Sequence, residues 1–160
     1  MRTLSLPFAL ASLAQAANLT TFTPTLPFTF EENSGQLSHA ATHLAADHGW
    51  AFDCSSIYHR ARDWRGPDFI AHVSLLNPNP TCQTSLTFAA PAVAHYYRGP
   101  DRAQWVESVQ RYNILAYKSV APGLDWQYQA RGNTLEWRWD IAAGIDPASF
   151  TLRTENNSYA

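Results

Sequence analysis

Residues 120–141 read VAPGLDWQYQARGNTLEWRWDI and hold three tryptophans, one tyrosine, three carboxylates and two arginines. Two dipeptides with turn chemistry divide this stretch into two segments. Pro122-Gly123 suits the central positions of a type II turn, because proline fixes φ and glycine tolerates a positive φ. Gly132-Asn133 suits the two-residue loop of a type II′ hairpin. The stretch therefore predicts a β-hairpin whose first strand follows the Pro-Gly turn.

Alternation along the two segments predicts a hairpin with one apolar face and one polar face. The apolar side chains with period two are Trp126, Tyr128 and Ala130 on the first strand and Leu135, Trp137, Trp139 and Ile141 on the second. A two-residue turn places both sets on the same side of the hairpin. The other side then carries Glu136, Arg138 and Asp140 as a row of alternating charge in contact with solvent. On this interpretation the tryptophans form a buried face.

The rest of the chain repeats short alternating segments separated by turn residues. Residues 42–54 predict a hairpin that turns around Asp47, His48 and Gly49. Further strands are predicted over residues 68–76, 83–89 and 112–120, with a turn and a single helical turn before Trp105. About six to nine short strands at this spacing are typical of an all-β, antiparallel β-sandwich-like fold. The length of 160 residues suits one domain.

The N-terminus has the order of parts found in secretory signal peptides. Arg2 precedes an apolar run over residues 4–13, and small residues follow at Ala14 and Ala16. We therefore predict a signal peptide over residues 1–16, an extended segment over 17–29 and the β-sandwich-like domain over 30–160. An apolar N-terminal strand remains the alternative. The run is shorter than the ~20 residues that span a bilayer, so we expect an exported protein, secreted or at the cell surface, without a membrane span.

The net charge bears on the kind of partner, and the two cysteines bear on how the fold is stabilised. The net charge is −2 and the eleven basic residues are scattered, so we expect no nucleic-acid partner. Cys54 and Cys82 are the only cysteines. In an exported chain they predict one disulfide, which stabilises by about 3 kcal/mol in the chain-entropy model, whereas two free buried thiols are the alternative.

Six short motifs occur in order between residues 30 and 147. They are FEENSGQ (30–36), HYYRG (95–99), Trp105, APGLD (121–125), LEWRWD (135–140) and AGIDP (143–147). Together they resemble the uncharacterised domain near the N-terminus of secreted bacterial proteins with SBBP-type beta-propeller repeats, whose members show FE.N.GQ, NYF.G, YPGID and PGADP motifs. Ala121 and Tyr97 depart from that pattern, which also lacks the cysteine pair.

The resemblance implies a secreted β-sandwich-like module that precedes propeller repeats in a larger multidomain protein. It brings no catalytic residue with it. No propeller repeats follow residue 147 in this sequence. The chain is therefore either truncated at its C-terminus or a short protein that keeps this domain alone.

Catalytic and metal-binding patterns are weak in this sequence. Glu136 and Asp140 lie four residues apart on one strand, hence about 13 Å apart, too far for a glycosidase pair unless Asp125 or a facing residue closes the gap. His39 and His43 have helical ligand spacing but are equally distant on a strand. The usual nucleophile, zinc, phosphate and dinucleotide fingerprints do not occur. We expect no catalytic residue, no metal and no cofactor.

The aromatic residues support the main functional alternative, a carbohydrate-binding module. Trp126, Tyr128, Trp137 and Trp139, with Trp105, would serve as a flat platform for sugar rings if they were exposed. Their alternation with polar residues favours the core of a sandwich instead. We therefore favour a noncatalytic structural or interaction module with an unknown protein or glycan partner. A hydrolase that uses Asp125, Glu136 and Asp140 is the weakest of the three hypotheses.

Overall fold

The computed structural model describes residues 27–37, 41–61 and 69–158, and these ranges are built from β-strands joined by turns. Three single-turn 3₁₀ helices occur there, at Ala46–His48, Arg102–Gln104 and Pro147–Ser149. The predicted signal peptide lies outside the described residues. In the part that is described, no helix has the length and hydropathy to cross a membrane.

Ten strands form two antiparallel sheets within the described ranges. They are β1 Glu31–Glu32, β2 His43–Ala45, β3 Trp50–Phe52, β4 Ser56–Ala61, β5 Phe69–Leu75, β6 Gln83–Tyr96, β7 Val106–Ala121, β8 Leu124–Arg131, β9 Thr134–Ile141 and β10 Leu152–Ser158. One sheet has the order β1-β2-β3-β4-β5-β10 and the other the order β6-β7-β8-β9. The prediction of an all-β, antiparallel, sandwich-like fold is confirmed.

The hydrophobic core lies between the two sheets. The six-stranded sheet and the segment before it contribute Phe28, Phe30, Ala45, Phe52, Ile57 and Leu75, and the four-stranded sheet contributes Leu115, Tyr117, Val120, Ala121, Leu124, Trp126 and Tyr128. Burial of a large apolar side chain stabilises by roughly 1.5–3 kcal/mol, so this layer holds the sandwich together. Phe52 and Tyr128 meet across it with ring centroids 4.8 Å apart.

The hairpin formed by β8 and β9 has the predicted register. Trp126 pairs with Trp139 and Tyr128 with Trp137, which places the apolar side chains on one face. Positive φ angles of 73° and 60° at Gly123 and Gly132 lie where the two predicted turns require them. One part of the prediction is wrong. Trp137 is 51% exposed, because β9 is the edge strand of its sheet among the strands that the structure describes.

Strands β6 and β7 are longer than predicted, with 14 and 16 residues. The ladder between them shifts register between Ala89 and Val93, next to Pro91, and then continues. Four steps along β6, from Ala89 to Val93, face two steps along β7, from Tyr112 to Gln110, so β6 has two extra residues here, and such a bulge disrupts the pairing locally without ending the strand. The predicted strands over residues 83–89 and 112–120 therefore cover only one half of each strand. The other half extends beyond the core.

A disulfide and a backbone bridge are among the connections between the sheets. The predicted disulfide between Cys54 and Cys82 is confirmed, and it joins the β3–β4 turn to the residue before β6. At the N-terminal side, Phe30 exchanges two backbone hydrogen bonds of 2.8 Å with Tyr112 of β7 before β1 pairs with β2. The chain thus passes from one sheet to the other at its start, which holds the two layers in register.

Candidate binding cleft

A cleft of about 560 Å³ opens between strands β3 to β5 of one sheet and the β8–β9 hairpin of the other. Its volume lies in the range of small-ligand sites. Its ring-bearing residues are Phe28, His48, Trp50, His59, Trp126 and Trp137, and the rest of the lining is Ile57, Val73, Asn133, Thr134 and Leu135. We refer to this site as the aromatic cleft.

Strand alternation and register explain the wall formed by the six-stranded sheet. Trp50 and Phe52 lie two residues apart on β3 and therefore share a face, with Phe52 in the core and Trp50 at the cleft. Trp50 pairs with His59 of β4, and their rings stack with centroids 4.1 Å apart. The cleft therefore lies on the same face of the sheet as the core and adjoins it.

The opposite wall brings together two of the four predicted binding residues. Trp126 is 1% exposed and Trp137 is 51% exposed, and both line the cleft. Tyr128 is fully buried in the core, and Trp139 packs against the core. The indole planes of Trp126, Trp137 and Trp139 lie 59° to 86° apart. These three rings therefore form a corner and not one flat surface.

Two buried nitrogen atoms at the cleft have no hydrogen-bond partner among the described residues. They are Nε1 of Trp126 and Nε2 of His48. A buried polar atom without a partner costs about 1–3 kcal/mol, and such atoms in native proteins usually bind water or a ligand. The indole N–H of Trp126 is a donor only, whereas the role of His48 depends on its tautomer. The cleft thus combines aromatic faces with unsatisfied polar atoms.

The carboxylates of the hydrolase hypothesis lie away from the cleft. Asp125 accepts hydrogen bonds of 2.8 Å from Lys118 Nζ and from the Ser119 N–H. Burial alone would raise the pKa of Asp125, but these two hydrogen bonds and the charge of Lys118 outweigh it and lower the pKa. Each of these carboxylates is paired with a cation. The pairs are Lys118 with Asp125, Arg131 with Glu136 and Arg138 with Asp140.

The structure describes only one histidine of the His39 and His43 pair that was considered as a metal site. His39 lies outside the described residues, and His43 is buried with its Nδ1 atom 2.9 Å from the hydroxyl of Tyr117. Burial lowers the pKa of His43 to about 4. Among the residues that the structure describes, no group of three or more His, Cys, Asp or Glu side chains could hold a metal ion.

A buried polar cluster fixes the far half of β6 and β7 against β1. Glu31 is 1% exposed, accepts a hydrogen bond from the Tyr96 hydroxyl, and lies 3.6 Å from Arg111 Nε. Arg111 also contacts Asp47 at 2.9 Å. Burial raises the pKa of Glu31 even though Tyr96 and Arg111 act to lower it. The cluster thus joins β1, β6 and β7, while Oε2 of Glu31 is buried without a hydrogen-bond partner among the described residues.

The sequence did not indicate Phe28, His48, Trp50 and His59 as site residues. Trp50 and His48 lie in the predicted hairpin of residues 42–54, so their aromatic character was visible. The sequence did not show that they line one cavity with Trp126, because this depends on how the two sheets pack and not on local alternation.

The comparison with protein families assigns most of the chain. Residues 28–159 match the family model described as "Domain of unknown function (DUF7948)". This match spans more than half of the 160 residues, so the chain belongs to that family. Neither a curated protein nor a solved structure matches the chain.

Proposed function

We propose that this member of the DUF7948 family is a noncatalytic interaction module of an exported protein, and that its ligand binds in the aromatic cleft. The observation that carries the proposal is the unpartnered, buried N–H of Trp126 in a cleft rimmed by aromatic rings. Such a site offers stacking faces and a directed donor, which together fix the orientation of a bound group.

The composition of the cleft supports a noncatalytic role. In the described part of the chain its lining contains no carboxylate, serine or cysteine; His48, His59 and Thr134 do line it, but the two imidazoles stack on Phe28 and Trp50 and no carboxylate of the lining lies beside them. A general acid or a nucleophile must reach the reacting group directly. Asp125, Glu136 and Asp140 lie on the other face of the hairpin in ion pairs. Broad hydrolase panels on the purified domain should show no turnover, and turnover that Glu136→Ala abolishes would overturn this part of the proposal.

Export and association with propeller repeats complete the proposal. Support for export comes from the signal-like residues 1–16 and from the disulfide, which forms in oxidising compartments. Support for the repeats comes only from the motif resemblance. N-terminal sequencing of protein collected from the culture medium should begin near Ala17. Full-length protein that stays inside the cell would contradict export, and a downstream reading frame without repeats would contradict the architecture.

A glycan is the ligand class that the cleft chemistry favours. Aromatic faces bind the apolar CH faces of sugar rings, and the indole N–H of Trp126 and the His48 nitrogen can bind hydroxyl groups. The two indole rings of the β8–β9 wall, Trp126 and Trp137, stand 59° apart, which suits a sugar held in a corner better than a chain lying on a flat platform.

A glycan array followed by calorimetry tests this ligand class. Trp137→Ala should weaken binding of the array's strongest ligand at least tenfold, about 1.4 kcal/mol, because it removes the exposed stacking face. Tyr97→Ala is the matched control, since Tyr97 is also exposed but does not line the cleft. Equal affinities for the two variants would contradict binding in the cleft, and an array without any signal would exclude glycans.

A further inference from the structure

A second concave site lies on the outer face of the six-stranded sheet. Its floor is formed by Leu44, Ala51 and Ile70, and Tyr58 and His72 lie beside them. Its volume is about 440 Å³, within the small-ligand range. We call it the outer groove. We propose that the outer groove binds a small organic anion that has one carboxylate on an apolar aromatic or branched aliphatic body.

Strand register explains why this surface is apolar. Leu44 pairs with Ala51, Ala51 with Tyr58, and Tyr58 with His72, so the four side chains form one row across β2 to β5. Alternation places this row on the face opposite Phe52 and the core. Leu44 and Ala51 are buried even so, and with Tyr58 they belong to an apolar cluster separate from the core. The row gives an apolar ligand body a matching surface.

The far half of the β6–β7 pair provides the other wall. Tyr96 at the end of β6 and Arg98 just after it line the groove. Tyr96 is held in place by its hydrogen bond to the buried Glu31. The wall is therefore attached to β1 through the polar cluster.

The charge of the lining selects an anion. Two arginines, Arg60 and Arg98, line the groove, and no carboxylate does so in the described part of the chain; Arg60 already has an interaction partner, which leaves Arg98 as the cation for a ligand. This is opposite in sign to the whole chain, whose net charge is −2. Arg98 makes no ion pair with any described residue. A guanidinium binds a carboxylate through two parallel hydrogen bonds, which makes Arg98 the expected anchor.

Three carboxylates of the described residues on neighbouring elements contact other side chains. Glu31 accepts from Tyr96, and Asp53 accepts from the Tyr58 hydroxyl at 3.2 Å. Glu155 contacts Arg153 at 2.8 Å and His72 Nδ1 at 3.6 Å. They therefore leave the charge of Arg98 available to a ligand.

His72 adds a second polar side chain to the lining. Its ring stacks on Tyr58 with centroids 4.4 Å apart, and its Nδ1 atom lies 3.6 Å from Glu155. Its Nε2 atom is buried and has no hydrogen-bond partner among the described residues.

Calorimetry with matched acids and amides tests the proposal. The probes are phenylacetate, hydrocinnamate and 4-methylpentanoate, each with its uncharged primary amide. At least one acid should bind with a dissociation constant below about 10 mM, and its amide should bind at least tenfold more weakly. Arg98→Gln should weaken the acid at least tenfold. Arg138→Gln, which removes an exposed arginine outside the groove, should leave the affinity unchanged.

Three outcomes would overturn the proposal. They are the absence of saturable binding by every acid, equal binding of acid and amide by the wild-type protein, and equal loss of affinity in the Arg98→Gln and Arg138→Gln variants. The amide comparison needs no variant, so it stands even if a substitution disturbs folding. Trp137→Ala should leave acid binding intact, which separates this proposal from that of the aromatic cleft.

Discussion

Two parts of the sandwich use the same alternating aromatic pattern with opposite results. In the core, Phe52 and Tyr128 pack at 4.8 Å between the sheets and are fully buried. At the aromatic cleft, Trp50, two residues before Phe52 on β3, and Trp137, the cross-strand partner of Tyr128 on β9, line an open cavity. Alternation therefore determines which side of a strand a residue occupies. Whether that side is buried depends on the element that faces it.

The largest expected effect is a difference in unfolding free energy between a core variant and a cleft variant. Tyr128→Ala should lower the free energy of unfolding by about 3–5 kcal/mol, because it leaves a large cavity in the core. Trp137→Ala removes a half-exposed ring and should cost less than about 1 kcal/mol. Urea unfolding of both variants measures the difference. Similar losses for the two would mean that Trp137 belongs to the core.

Removal of the disulfide tests how much this bond contributes to holding the two sheets together. The double variant Cys54→Ser, Cys82→Ser should lose about 3 kcal/mol in unfolding experiments without reductant. Wild-type protein treated with dithiothreitol should lose the same amount, and the double variant should not respond to the reductant. Labelling of both cysteines by a thiol reagent in the folded, unreduced protein would refute the disulfide.

Acid should destabilise the folded protein because His43, a buried residue of β2, must take up a proton. Burial lowers the pKa of His43 from 6.5 to about 4 in the folded state, so the neutral form is favoured there. The unfolded state therefore binds a proton first, and stability is lost as the pH falls from about 6.5 to about 4, by about 3 kcal/mol in all.

The His43 effect is measured as a difference between two proteins. His43→Leu should be less dependent on pH than the wild type over this window. The difference is needed because Glu31 acts with the opposite sign: its raised pKa favours the protonated form in the folded state and adds stability as the pH falls. Parallel pH profiles for wild type and His43→Leu would contradict the buried, neutral state of His43.

The smallest expected stability effect concerns two tyrosine hydroxyls. The Tyr128 hydroxyl is buried without a partner among the described residues, so Tyr128→Phe should stabilise by up to about 1 kcal/mol. The Tyr117 hydroxyl lies 2.9 Å from His43 and 3.1 Å from Thr42, so Tyr117→Phe should destabilise by about 1 kcal/mol. Thermal unfolding should therefore move in opposite directions. Destabilisation by both changes would show that Tyr128 has a partner.

Local features of the sequence were sufficient for the hairpin of β8 and β9, the disulfide and the fold class. The positions of Gly123 and Gly132 set the turns, and period two set the faces. The length of β6 was not predictable, because the bulge beside Pro91 hides the continuation of the strand. The cleft was not predictable either. It forms because Trp126 lines the same cavity as residues on β3 and β4, which are far away in the sequence.

The NMR signals of the indole N–H groups test most directly the proposal that the aromatic cleft binds a glycan. Soluble hexasaccharides such as cellohexaose and chitohexaose would be titrated into ¹⁵N-labelled protein. At least one should shift the Trp126 and Trp137 signals, because both rings line the cleft, and leave Trp105, which donates to the Gly99 carbonyl oxygen, unchanged. Shifts confined to Trp105, or no shift at Trp126 with any oligosaccharide, would contradict the claim.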